Sequence, residues 1–262
     1  MKIIDAHTHL PGWSFGSQPR PIRELRREFE EQGLGGAWLF TTDGLVGESV
    51  KNNDILAKAV ADHRDFFAPF CTVDPLCGAK AALRELDRAK HKLGMRGVKL
   101  HPWLQRFSMT NPAMEPIFKH AGKLGLPVLL HDGTPPYASS LQIAALAEKA
   151  PQTIIILGHA GLDDQYEDAI LACRRHANIY LCLCSNSCGY VEEIIRRCPV
   201  QRLLFGSDGG FLPNLIALAI AKLRATDAPA TVLRRIFHDN PLSLVPLPEH
   251  KLGRQRRQLF HR

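Results

Sequence analysis

Short apolar runs alternate with longer segments of helical periodicity along almost the whole chain. Runs rich in β-branched and other apolar residues predict eight strands, at residues 2–9, 36–41, 67–73, 97–101, 127–131, 153–159, 179–184 and 202–207. Apolar residues spaced three or four apart predict intervening helices at residues 21–32, 48–63, 79–93, 113–124, 139–149, 163–176 and 190–198. Two further helices, at residues 212–223 and 230–237, follow the last strand. The pattern therefore predicts an α/β protein.

The regular alternation also predicts how the strands are arranged. Because βαβ units are right-handed and parallel, eight units with nothing left over favour a single (β/α)8 TIM barrel with extra C-terminal helices. Gly33, Gly94 and Gly125 each follow a helical segment, where a left-handed glycine ends a helix. An open doubly wound sheet is the alternative, but it normally has fewer strands. Its dinucleotide-binding form also needs a Gly-x-Gly-x-x-Gly turn, which does not follow the first strand here.

Composition supports one globular domain, since 45% of the 262 residues are hydrophobic and 23% are charged. No apolar run is long enough to span a bilayer and Asp5 interrupts the first one, so we expect a cytoplasmic protein without a membrane partner. The net charge is +7, but five basic residues and one acid fall within residues 249–262. We expect residues 1–248 to form the barrel and residues 249–262 to form a flexible basic tail.

Seven cysteines lie at positions 71, 77, 173, 182, 184, 188 and 198. An odd number scattered along a chain of this length does not indicate a disulfide framework. Cys182, Cys184 and Cys188 suggest a second metal site, but their spacing fits no common zinc ribbon and the first two lie in an apolar strand. We therefore expect buried free thiols at these positions.

Polar residues cluster at the carboxyl ends of the predicted strands, where a barrel places its active site. Twelve histidines exceed the usual share for this length. The candidates at strand ends are His7, His9, Lys99, His101, His131, His159 and Asp208. Side chains alternate along a strand, so His7 and His9 share a face with Asp5. Imidazole nitrogens and a carboxylate suit zinc, so the pattern predicts a divalent metal site at the barrel mouth.

Five motifs, in order along the chain, resemble the amidohydrolase superfamily and above all its amidohydrolase-2 branch of metal-dependent hydrolases and decarboxylases. They are Asp5-Ala6-His7-Thr8-His9, Gly97-Val98-Lys99-Leu100-His101-Pro102, His131-Asp132-Gly133, Leu157-Gly158-His159-Ala160-Gly161 and Gly206-Ser207-Asp208. The resemblance implies one divalent ion, with zinc as the expected metal, held by His7, His9, His131 and Asp208. It also implies that His159 binds the ion or orients water beside it, and that Asp208 or His159 accepts the proton.

The resemblance further implies a hydrolase in which an activated water attacks a small lactone, amide or carboxylated substrate. A zinc-dependent decarboxylase of the same branch is the alternative, because the same ligands serve both reactions. Some binuclear relatives carboxylate a fourth-strand lysine that bridges two ions, so Lys99 offers a second metal position. We favour instead that Lys99 or His101 binds an anionic group of the substrate.

The expected substrate-binding residues are Lys99, His101, Arg106 and Trp103, and a purely structural pairing within the barrel is an equal alternative for Lys99 and His101. Asp5 is expected to orient a metal ligand or to close the floor of the barrel. A nuclease of the TatD group is another alternative, because that group also has a His-x-His pair on its first strand. The positive net charge of this chain would suit its nucleic-acid substrate. That group has a metal-binding glutamate near the fourth strand, where this chain has Lys99 and His101.

We therefore expect a small-molecule substrate rather than nucleic acid, and the sequence leaves a homodimer open. A non-catalytic barrel that binds a partner through the basic tail is disfavoured, because the implied ligand set is complete.

Overall fold

Eight parallel strands lie side by side in sequence order in the computed structural model, which describes residues 1–15 and 18–248. The strands are β1 (Ile3–Leu10), β2 (Leu34–Thr41), β3 (Phe67–Cys71), β4 (Gly97–Leu100), β5 (Val128–Leu130), β6 (Ile155–Leu157), β7 (Ile179–Leu183) and β8 (Leu203–Phe205). Each strand pairs with the next one along the chain. This order is that of the predicted TIM barrel.

Helices surround the strands and follow the last one. They are α1 (Ile22–Glu31), α2 (Asp43–Val46), α3 (Ser49–Ala59), α4 (Ala79–His91), α5 (Met114–Lys123), α6 (Ser140–Lys149), α7 (Tyr166–Arg175), α8 (Cys188–Arg197), α9 (Leu215–Arg224), α10 (Ala230–Arg234) and α11 (Asn240–Leu244). In α5, Met114, Ile117, Phe118 and Ala121 are buried, at the spacing that places side chains on one helix face. The α/β class and the extra C-terminal helices are therefore confirmed.

The barrel closes between β1 and the segment that follows β8. The amide of His9 donates to the carbonyl of Gly209 over 2.8 Å, and the amide of Asp208 donates to the carbonyl of His7 over 2.9 Å. One carboxylate oxygen of Asp5 accepts from the amides of His7, at 2.9 Å, and Ser207, at 3.2 Å. Asp5 therefore joins the two ends of the sheet at the point where the candidate ligands begin.

Two apolar layers stabilise the barrel. The outer layer fills the space between strands and helices, and the inner layer fills the barrel itself. The inner layer includes Trp38, Phe70 and Leu129 from the strands. Leu242 and Val245 from the C-terminal segment join the same layer, so this segment closes the barrel at the end opposite its mouth.

The sequence overestimated the length of several strands. Residues 153–159 and 202–207 were predicted as strands, but β6 and β8 have three residues each. The backbone leaves the extended region soon afterwards, with φ of +46° at Ala160 and +62° at Asp208. Consequently His159 and Asp208 lie on the loops that follow the strands rather than within them.

The predicted helix 230–237 is also interrupted. It consists of α10, a π-helical segment at Arg235–Asp239, and then α11. Among the described residues, no helix has both the length and the apolar character needed to cross a membrane. The predicted basic tail, residues 249–262, lies outside the described residues, as do residues 16 and 17.

Candidate metal centre

The structure brings the predicted candidates to one end of the barrel. His7 and His9 lie on β1, Lys99 lies on β4, and His131 directly follows β5. The other candidates, His101, His159 and Asp208, lie on the loops after β4, β6 and β8. His7, His9, Lys99, His101 and His159 are buried, whereas His131 and Asp208 are partly exposed at the open mouth.

Three of these side chains approach one another through their ligand atoms. The Oδ1 atom of Asp208 lies 2.9 Å from Nε2 of His9 and 3.4 Å from Nε2 of His7. The Nδ1 atom of His7 lies 3.0 Å from the carbonyl oxygen of Gly158, so Nδ1 carries the ring proton and Nε2 keeps its lone pair. The Nζ atom of Lys99 donates to that lone pair over 2.9 Å.

The remaining imidazoles form a stack beside this group. The rings of His101 and His131 are nearly parallel, with centroids 3.8 Å apart, and the ring of His131 meets that of His159 edge-on at 4.4 Å. His159 in turn lies 4.8 Å from the ring of His7. Neither ring nitrogen of His159 makes a hydrogen bond of ordinary geometry within the described part of the chain, and Nδ1 of His9 makes none either.

Burial keeps the imidazoles neutral. It lowers the pKa of His131 to about 2 and that of His159 to about 4, and it lowers the pKa of His7 and His9 as well. Burial alone would raise the pKa of Asp208, but the hydrogen bond with His9 and the nearby histidines outweigh it and hold that pKa well below 3.8. The centre therefore offers neutral nitrogen lone pairs and an ionised carboxylate.

These donors fit a divalent cation. The ligand atoms of His7, His9 and Asp208 all lie within 4.8 Å of one another, and so do those of His7, His159 and Cys184. Nδ1 of His9 and the ring nitrogens of His159 lack hydrogen bonds of ordinary geometry, although His159 interacts with the backbone of Cys184, and such buried nitrogens are costly unless a ligand binds them. His131 belongs to neither group found among the described residues. Its predicted role as a ligand therefore stays a prediction.

Lys99 is a buried amine at the centre of this arrangement. Desolvation lowers its pKa to about 8, against the opposing influence of Asp208 and other acidic groups. Its side chain contacts His7 and also lines the pocket above the metal centre. This position is compatible with binding an anionic substrate group.

Two buried carboxylates support the backbone beneath the ligands. Asp5 accepts from amides of β1 and of the loop after β8, and so joins the two ends of the sheet; its two expected roles both stay predictions. Asp132, which the sequence singled out only as part of the His131-Asp132-Gly133 motif, accepts from the amides of His159 at 2.7 Å and Gly161 at 2.6 Å. Its position directly after His131 was the only available signal for this contact.

The backbone around Asp208 explains how its carboxylate reaches both histidines of β1. Asp208 has φ of +62° and Gly210 has φ of +115°. A Cβ atom at Gly210 would lie 2.1 Å from the carbonyl oxygen of His9, so only glycine fits this close approach. The tight turn places the Asp208 carboxylate between the two histidines of β1.

A pocket of about 290 Å³ opens directly above the centre. It is lined by His9, Thr42, Leu45, Lys99, His101, Trp103, Leu104, His131, Asp208, Phe211 and Leu212. The predicted substrate-binding residues Lys99, His101 and Trp103 are among them. Arg106 is exposed and is not among the lining residues. The sequence reasoning missed Phe211 and Leu212 as lining residues. Both lie in the irregular loop before α9, although the predicted helix 212–223 began at Leu212.

Several solved structures share this fold. 5-Carboxyvanillate decarboxylase from Sphingomonas paucimobilis has a TM-score of 0.75 and 17% identity, covering 94% of this chain and 99% of that chain. A dihydroxybenzoic acid decarboxylase from a Polaromonas species, with bound manganese and the inhibitor 2-nitroresorcinol, has a TM-score of 0.72 and 18% identity, covering 93% and 96%.

A probable 2-pyrone-4,6-dicarboxylic acid hydrolase from Acinetobacter baumannii, with citric acid bound, has a TM-score of 0.73 and 15% identity, covering 93% and 99%. At these identities the similarity shows the fold alone. No curated protein sequence matched the chain. The sequence model of the amidohydrolase family, however, matches residues 4–247, a range that contains all five motifs. The chain therefore belongs to the amidohydrolase family.

Proposed function

We propose that the protein is a metal-dependent hydrolase that acts on a small lactone, amide or carboxylated substrate. The observation that carries this proposal is the convergence of His7, His9 and Asp208 at the floor of a pocket of about 290 Å³. That volume suits a substrate of one ring rather than a polynucleotide. Nothing in the pocket favours the nuclease alternative.

Each residue has a distinct role in this proposal. His7, His9 and Asp208 hold one divalent ion, with zinc as the expected metal and His131 as the predicted fourth ligand. When bound, the ion supplies Lewis acidity that polarises a carbonyl and makes water more acidic. Asp208 is ionised and partly exposed, so its carboxylate can accept a proton from water and return it to the leaving group.

The pocket wall positions the substrate. The amine of Lys99 is directed at the centre and can pair with a substrate carboxylate, while His101 and Trp103 offer flat surfaces beside it. We assign Lys99 to this role rather than to a carboxylated bridge between two metals. His159 lies buried behind His131, where it can orient a group at the metal centre.

Decarboxylation is the second candidate. Two of the similar solved structures are decarboxylases of aromatic acids, and one of them contains manganese. The pocket of this chain combines flat rings with a buried amine, which would also suit an aromatic carboxylate. In that reaction the residues around the centre would stabilise the negative charge that develops as carbon dioxide leaves.

Metal analysis and a substrate screen test the proposal together. We expect about one divalent ion per chain, as in a mononuclear catalytic site, and turnover of a lactone, amide or carboxylated aromatic compound. Chelation should abolish turnover, and restoring zinc, manganese or cobalt should recover it. A chain that takes up none of these ions would contradict the proposal. Carbon dioxide release without a hydrolytic product would replace hydrolysis with decarboxylation.

A further inference from the structure

Cys184 lies at the metal centre although the sequence pattern indicated only a buried thiol. It follows β7 directly, between the loops that carry His159 and Asp208, and it is fully buried. Its amide donates to the carbonyl of Cys182 over 2.8 Å, and Ser185 then takes a φ of +68°. This tight turn keeps the thiol within 4.8 Å of the ligand nitrogens of both His7 and His159.

His159 gives independent evidence for a ligand at this position. The residue is 2% exposed, and neither of its ring nitrogens makes a hydrogen bond of ordinary geometry in the described structure. The ring of His159 interacts with the backbone of Cys184, and a buried nitrogen that lacks a well-formed hydrogen bond is destabilising. A metal ion placed between His7, His159 and Cys184 would bind one nitrogen of His159, and the thiol of Cys184 would bind the ion in place of its 3.6 Å contact with Oγ of Ser185.

His7 prevents the two donor groups from acting as two separate metal sites. Its Nδ1 atom is engaged with the carbonyl of Gly158, so only Nε2 can bind a metal. Both groups include His7, and Nε2 is the nitrogen that His7 has left for a metal in either group. A single ion bound to His7 can therefore take its other ligands from either of two sets. We call His9 and Asp208 the carboxylate side, and His159 and Cys184 the thiol side.

We propose that Cys184 is a metal ligand. Soft or borderline ions such as zinc, cobalt and cadmium, which the proposed function places with His9 and Asp208, then lie on the thiol side of the same centre. This inference rests on the proposed metal centre. Thiolate ligands favour such ions, whereas manganese and magnesium favour carboxylate oxygen. On binding, the S–H bond of Cys184 breaks, a metal–sulfur bond forms, and the proton passes to solvent. The carboxylate side alone serves hard ions.

Cobalt titration of the metal-free protein tests the inference. We expect an intense sulfur-to-cobalt charge-transfer band in the near ultraviolet, in addition to the weaker visible bands of bound cobalt. The band should disappear in Cys184→Ser and persist in Cys182→Ser. Cys182 is the matched control because it is a buried cysteine two residues earlier on the same strand. Replacing the exposed Cys77 and Cys188 by serine should leave the band unchanged.

Affinity gives a second measurement. Cys184→Ser should lower the affinity for cadmium by about tenfold or more while changing that for manganese by less than about threefold, because only the soft ion gains from sulfur. Zinc X-ray absorption of the unmodified protein needs no variant, so it decides the question even if Cys184→Ser does not fold. It should show one sulfur neighbour at about 2.3 Å.

The outcomes separate this inference from the proposed function. If cobalt and zinc bind but neither the charge-transfer band nor the zinc–sulfur distance is found, Cys184 is not a ligand and the metal centre stands. If the band persists in Cys184→Ser, another thiol binds the metal and the inference is wrong. If neither metal binds at all, both proposals fail.

Discussion

Asp208 combines an unusual backbone with a partly exposed carboxylate. A residue other than glycine in the left-handed region costs of order 1 kcal/mol or more, and such residues concentrate at functional sites. Here the conformation places one oxygen within 3.4 Å of ligand nitrogens on both His7 and His9. The turn therefore brings the Asp208 carboxylate to the candidate metal centre, while the Asp208 amide pairs with the carbonyl of His7.

Replacing Asp208 with asparagine should lower turnover by about 10²- to 10⁴-fold, the range for loss of a general acid or base. The amide can still accept a hydrogen bond from His9, but it has no charge for the metal and cannot take up a proton. Steady-state kinetics and metal content of the purified variant measure the two effects, and circular dichroism should be unchanged.

The matched control is Asp164→Asn, the same substitution at an exposed aspartate on the loop after β6. It should leave both turnover and metal content at the level of the unmodified protein. Normal turnover in Asp208→Asn, or an equal loss in the control, would refute the role assigned to Asp208.

Sequence reasoning at this scale succeeded where a residue's position on a strand determines its direction. Alternation along β1 was enough to place His7 and His9 on one face, although the pairing of β1 with β2 is irregular between Asp5 and Thr8. The sequence indicated the buried thiol of Cys184 but not the imidazoles beside it, because an apolar strand presents the same pattern whether a thiol faces packed carbon or imidazole. The substrate-binding role of Arg106 stays a prediction, since this exposed residue lies on a turn with φ of +60° that no local pattern indicates.

At the scale of elements, the junction between β1 and β8 connects the fold to the metal centre. Strand β8 has only three residues, and its pairing continues through the loop that carries Asp208. Asp5 holds this junction by accepting from the amides of His7 and Ser207. Burial raises the pKa of its carboxyl to about 7, which shows how little solvent reaches it.

Replacing Asp5 with alanine should lower the free energy of unfolding by about 2 to 4 kcal/mol, because two buried amides lose their acceptor. Asp5→Asn keeps an acceptor oxygen of the same shape and should cost less than about 1 kcal/mol, a typical net value for one hydrogen bond. Urea denaturation of the metal-free proteins measures the difference without a contribution from bound metal. Equal losses in the two variants would show that the amides are not what Asp5 stabilises.

The order of elements was predictable from sequence, but their ends were not. Apolar runs and helical periodicity located all eight strands because each is buried on both faces. The runs extend past the hydrogen-bonded ladder at β6 and β8, since the loop residues there are buried as well. The π-helical segment before α11 gave no signal, because its residues keep helical periodicity.

At the scale of the whole molecule, the histidine content indicated the candidate site, whereas the net charge did not. More than half of the charge of +7 lies in residues 249–262, beyond the matched family range. Histidines, by contrast, converge from β1 and from the loops after β4, β5 and β6 on one pocket and the centre beneath it. The C-terminal segment up to residue 248 adds side chains to the inner layer, so it is a structural part of the barrel.

Deleting residues 249–262 should therefore leave turnover, metal content and the unfolding midpoint unchanged, while the net charge falls to +3. Deleting residues 240–262 should abolish folding. The longer deletion removes Asn240, whose side chain donates to the carbonyls of Val200 at 2.7 Å and Leu203 at 2.8 Å. It also removes Leu242 and Val245 from the inner layer, at about 1.5 to 3 kcal/mol for each buried side chain. Steady-state kinetics and thermal unfolding of both deletion variants measure these effects. A large loss of kcat on deletion of residues 249–262 would mean that the basic segment takes part in catalysis.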